Sequence, residues 1–92
     1  MLEFKRTEFG VDVYGEKVSF RKPTGLEKKK WLGDLNDLAD RAKSGESYDY
    51  DEDYKITKLF LSSLGFPEKT FDSMEENHQI EIVNAVLEVK KN

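Results

Sequence analysis

Cysteine is absent from the 92-residue chain, which excludes disulfide frameworks, thiolate zinc sites and thiol nucleophiles. No apolar run approaches the ~18 residues of a membrane span, and Met1-Leu-Glu-Phe-Lys-Arg6 lacks a signal-peptide core. The six glycines form neither a G-x-G-x-x-G fingerprint nor a Walker loop, so no phosphate cradle is expected. Hydrophobic residues are scarce at 37%, against ~45–50% in a typical globular chain with glycine counted in. These shortages point to one small, soluble, cytoplasmic domain with little free energy to spare. Aromatics at 12% nevertheless argue against disorder.

Catalytic groups are equally few. The single histidine, His78, follows Glu75 and Glu76, and a Ser73, His78, Asp72 triad can be drawn only by proximity in sequence. The expected role of His78 is that of an exposed first-turn residue. Asp49, Asp51 and Asp53 copy the first three ligand positions of a calcium loop. The copy then fails, with Tyr54 where glycine is required and Phe60 where glutamate is required. No catalytic residue, metal site or cofactor is expected.

Charge is unevenly distributed. Overall 15 basic and 19 acidic residues give a net charge of −4, which disfavours nucleic acid and acidic membranes as partners. Arg21, Lys22, Lys28, Lys29 and Lys30 form a basic block broken by Glu27. Asp34, Asp37, Asp40, Glu46, Asp49, Asp51, Glu52 and Asp53 form an acidic one. Such blocks are usually solvated faces, though they can also orient a partner.

What is present reads as α+β, an N-terminal β-hairpin packed on a small bundle of three helices. In the hairpin region, 1–22, Phe9, Val11 and Val13 alternate with polar residues, as do Val18 and Phe20. A Gly15-Glu16 loop of type II′ would set Val13 opposite Val18 and Val11 opposite Phe20. Leu2 and Phe4 alternate more weakly and could add a short third strand. Thr24 and Glu27 form a capping box that opens a helix over 24–44, in which Gly33 either weakens the helix or allows a close approach. An acidic loop follows at 45–52, then a helix over 53–64 closed by Gly65-Phe66-Pro67 in the Schellman manner. A short helical turn is expected at 67–72. A second capping box, Ser73 with Glu76, opens a C-terminal helix over 74–90.

That last helix carries two apolar stripes, Ile80, Val83 and Leu87 on one and Ile82, Val86 and Val89 on the other. Together they cover an arc of about 200°, whereas a surface helix needs somewhat over ~100°. Either the helix is central and buries both, or one stripe is left for a partner. The expected partner-binding residues are Ile82, Val86 and Val89, with Trp31 as an anchor. On this reading, Ile82→Glu with Val86→Glu abolishes binding and leaves melting intact, and loss of folding shows that the stripe is core.

The order of these elements resembles a known class. The chain has a hairpin, then Lys22-Pro23-Thr24 at a helix start, then an acidic middle. It goes on with Leu59-Phe-Leu-Ser-Ser-Leu-Gly-Phe-Pro-Glu68, a short turn, and a terminal helix ending Val89-Lys-Lys-Asn92. Over nearly its full length this is similar to the tail assembly chaperones of long-tailed (siphovirus-type) bacteriophages. The resemblance implies a non-enzymatic protein of the bacterial host cytoplasm, absent from the mature virion. It implies binding to the tape measure protein, which it keeps soluble, and recruitment of tail tube protein, often by a frameshifted longer product. Lys90-Lys91 is compatible with an A-rich slippery site in the gene. Self-association would also suit a chain of this size. The competing reading is a small acidic inhibitor or adaptor whose carboxylates occupy a basic site on a host or phage protein. Salt separates the two, since an acidic mimic weakens steeply as salt rises and an apolar helix contact does not.

Overall fold

A computed structural model describes residues 1–88. Its first elements are two antiparallel strands, β1 (Glu8–Val13) and β2 (Glu16–Arg21), with Val11 opposite Val18 and Phe9 opposite Phe20. The register therefore differs by two residues from the one read off the sequence. A two-residue slip keeps every side chain on its face, so the apolar alternation could not separate the two registers. Turn geometry decides between them. Tyr14 at φ 52° and Gly15 at φ 93° form the loop, with both central residues positive as a type I′ turn requires. The carboxylate of Asp12 accepts from the Gly15 N–H at 2.8 Å. Leu2 and Phe4 add no third strand; segment 1–7 has no regular structure and both side chains are exposed.

Helix α1 (Gly25–Lys43) begins at the predicted capping box, Thr24 accepting from the Glu27 N–H while Glu27 reaches back to the Thr24 N–H. A Cβ added at Gly33 would meet nothing within 4 Å, so that glycine serves no close approach. Helix α2 (Tyr50–Ser63) starts three residues before the predicted 53. Asp49 caps it by accepting from the Glu52 N–H at 3.0 Å. Asp51, Glu52 and Asp53 then lie in its first turn, where the helix dipole favours carboxylates. Much of the expected acidic loop is thus the start of a helix.

The predicted Schellman stop is present. Phe66 N–H donates to Leu61 C=O at 3.1 Å and Gly65 N–H to Ser62 C=O at 3.0 Å. Gly65 takes φ 105°, and a Cβ there would lie 3.9 Å from the Phe20 backbone. The short turn is α3 (Glu68–Ser73) and the last helix is α4 (Glu76–Leu87). The expected second capping box does not form. Ser73 is the last residue of α3 and its hydroxyl donates to Thr70 C=O at 2.7 Å, while Glu75 flanks α4 without a side-chain cap. Residues 89–90 of the predicted helix lie outside the described residues.

The inner face of the hairpin, Val13, Val18 and Phe20, joins Trp31, Phe60, Leu61, Leu64, Phe66, Phe71, Met74, Ile82 and Val86 in one core. Phe66, 1% exposed, sets its ring edge-on to Phe20 at 5.2 Å and to Phe71 at 6.1 Å. Each such side chain contributes ~1.5–3 kcal/mol by leaving water. The radius of gyration is 14.8 Å, against ~12 Å for a compact chain of this length. Among the described residues, no helix is long and apolar enough to cross a membrane.

Candidate helix-binding groove

The position of α4 is set at both of its ends by the hairpin and the start of α1. At its start, Tyr14 Oη accepts from the Glu75 N–H at 3.0 Å and lies 2.7 Å from His78 Nδ1. With the imidazole proton on Nε2, the phenol donates to Nδ1 and both of its hydrogen-bonding roles are filled. At its end, Lys22 Nζ pairs with Glu88 at 3.2 Å and Lys28 Nζ donates to Leu87 C=O at 3.4 Å. His78, Ile82 and Val86 follow one another at intervals of four, on one face of the helix. The contact of His78 with Tyr14 is thus made on the face that carries Ile82 and Val86 inward. They are 7% and 2% exposed.

The other stripe is only partly covered: Val83 and Leu87 pack half-buried against the edge of the core, and Ile80 stands in solvent. Ile80, Val83 and Leu87 of α4 line a groove of about 680 Å³ with Leu32 and Leu35 of α1 and Tyr50 and Tyr54 of α2. Trp31, Thr57 and Phe71 reach it from the core side. The groove is open to solvent: Leu32 is 41% exposed, Ile80 52% and Tyr50 76%. Among the described residues, its charged lining side chains are Asp53 and Glu76, and no lysine or arginine lines it.

One wall is held by polar contacts. Tyr54 donates to Asp72 Oδ1 at 2.7 Å and accepts from Gln79 Nε2 at 3.1 Å. Gln79 also donates to Phe71 C=O at 2.6 Å, and Lys58 pairs with Asp72 at 3.3 Å. Burial first, then the bond to Asp72, raises the Tyr54 pKa; the same bond, ahead of that from Lys58, lowers the Asp72 pKa. Tyr48 donates to Asp53 Oδ2. That bond above all pushes the Tyr48 pKa up to about 12. The groove is thus a shaped apolar trough with an acidic rim.

Of the residues expected to bind a partner, Trp31 reaches the groove from the core side, and Ile82 and Val86 do not line it. Trp31, 4% exposed, stacks on Phe60 with ring centroids 4.7 Å apart and donates to Thr57 Oγ1 at 3.3 Å. Trp31, Ile82 and Val86 are core, and Val89 lies outside the described residues. The stripe that lines the groove is Ile80, Val83 and Leu87, not the one expected to meet a partner. Within the two stripes nothing distinguishes them, because both are apolar at helical spacing. The usable signal was His78, whose polar ring shares a face with Ile82 and Val86 and needs a partner.

The drawn triad is not assembled. Ser73 donates to Thr70 C=O, Asp72 is engaged by Tyr54 and Lys58, and His78 by Tyr14. Among the described residues, no group of three His, Asp or Glu side chains is placed to hold a metal ion. The basic block is largely spent on the fold. Arg21 makes a two-pronged pair with Glu27 at 2.7 and 2.6 Å, and Lys22 and Lys28 tie down α4. Compared with protein-family models, with curated proteins and with solved structures, the chain matches none.

Proposed function

We propose that the chain is a non-enzymatic tail assembly chaperone of a long-tailed bacteriophage, and that its groove receives amphipathic helices of the tape measure protein. The observation that carries this reading is the open apolar trough between α1, α2 and α4, whose charged rim residues, Asp53 and Glu76, are both acidic. Helix-in-groove recognition uses apolar anchors at i, i+3, i+4 and i+7 on the incoming helix. Ile80, Val83 and Leu87 supply the matching ridge, and basic residues flanking those anchors would meet the rim. Repeated weak contacts along a long client gain by multivalency without any one tight site. A net charge of −4 favours keeping the coated client in solution. On this reading the protein works in the host cytoplasm, helps recruit tail tube subunits and is left out of the finished virion.

The test is co-expression with the long helical protein encoded downstream of this gene. Wild-type chain keeps that client soluble and co-purifies with it, whereas Ile80→Glu with Leu32→Glu, both at exposed groove positions, loses both while still melting cooperatively. Client solubility unaffected by the double variant overturns the reading. Binding that instead collapses as salt rises favours the acidic inhibitor, for which the clustered carboxylates of the α2 start are the motif. A slippery heptamer over the Lys90-Lys91 codons with an overlapping frame would support the chaperone independently.

A further inference from the structure

Segment 1–7 sets apolar side chains in water. Met1, Leu2 and Phe4 are 117%, 84% and 91% exposed, and Lys5 and Arg6 follow them directly. Among the described residues, its backbone tie to the fold is Thr7 C=O, which accepts from the Lys22 N–H at 3.1 Å at the open end of the hairpin. Large apolar residues contiguous in sequence are costly to leave wet in so small a domain. The groove described above has the complementary make-up, an apolar trough with acids at its rim. We propose that segment 1–7 of one copy occupies the groove of a second copy, with Leu2 and Phe4 in the trough and Lys5 and Arg6 at the Asp53 and Glu76 rim.

Geometry favours a second copy over the chain's own arm. Glu76 opens α4 beside the Tyr14 turn, which holds the preceding Glu75. The arm leaves from the opposite end of the hairpin, beside Lys22. A six-residue strand separates those ends by about 17–20 Å. Lys5 and Arg6 lie within two residues of the root at Thr7, a reach of about 7 Å. In its own chain they lie beside Arg21 and Lys22 rather than at the acidic rim. A second copy can present the arm from the acidic end, with each basic residue opposite a carboxylate. The contact joins unlike surfaces, so copies associate head to tail. A client helix entering the same groove would compete with the arm, but the association between copies does not require one.

Sedimentation velocity on the full chain over a concentration series tests this. Wild type should grow in size with concentration, and Phe4→Glu or Ile80→Glu alone should weaken association by about tenfold or more, as loss of a buried anchor does. Mixing these two variants is the sharper arm. The Ile80→Glu copy keeps an intact arm and the Phe4→Glu copy an intact groove, so the mixture should form a one-to-one dimer and stop there. Should Ile80→Glu melt differently from wild type, Leu32→Glu on the opposite wall takes its place. Wild type that stays monomeric, association that survives Phe4→Glu, or a mixture that forms no dimer would each overturn the proposal.

Discussion

The two flanks of α4 are nearly alike in composition and opposite in fate. Ile82 and Val86 are buried in the core, whereas Val83 and Leu87 are only half-buried at its edge and Ile80 stands half in solvent, all three lining the groove. Hydrophobicity alone does not choose between them. Polar contacts at the helix ends, Tyr14 with Glu75 and His78 and Lys22 with Glu88, are made in the orientation that buries Ile82 and Val86. Exposed contacts of this kind add little each, but they favour one of two apolar faces that hydrophobicity alone leaves nearly equivalent.

The comparison breaks most severely if charge is forced into the inner flank. Ile82→Glu with Val86→Glu buries two unpaired carboxylates, a penalty of several kcal/mol in a domain whose whole stability is on the order of 5–10 kcal/mol. Circular dichroism should show no cooperative thermal transition. Tyr14→Phe tests the anchor. It removes the acceptor for the Glu75 N–H and the partner of His78, at about 1–2 kcal/mol. Amide exchange should rise most in the first turn of α4, because that turn has no side-chain cap of its own.

A smaller effect concerns the pair that fastens the end of β2 to α1. Hydrogen bonds from Arg21, then from the Thr24 N–H, hold the Glu27 pKa at about 2 against an ordinary 4.5. The folded value is the lower one, so this pair's contribution is complete above about pH 4.5 and is lost as pH falls through about 2. Glu27→Gln should therefore be less stable than wild type at neutral pH and should lose less stability across that acid window, as urea denaturation at stepped pH would read. Smallest of all is Ile80→Glu. On a half-exposed site it should shift stability by less than about 0.5 kcal/mol, in contrast with its neighbour two residues along.

Much of this fold was legible because its signals are local. Thr24 with Glu27, and Gly65 followed by Phe66, act within one helical turn, and both motifs are present as read. The hairpin face was legible but its register was not. A slip of two residues preserves the apolar face, and a tyrosine at φ 52° is not what residue preferences suggest for a turn. The start of α2 was missed because acids favour both solvated loops and helix first turns. Ser73 looked like a cap and is instead the end of α3. The inward flank of α4 was least legible of all, since the contact that marks it joins Tyr14 to a histidine 64 residues away.

The most direct test of the central claim is an NMR titration of labelled chain with a basic amphipathic helical peptide. Shift changes should gather on Leu32, Leu35, Tyr50, Ile80, Val83 and Leu87, leave Val13, Val18 and Ile82 unmoved, and persist as salt is raised. Changes confined to the carboxylates around Asp49–Asp53 and erased by salt, or changes centred on the hairpin face, would contradict the assignment of the outer flank to recognition.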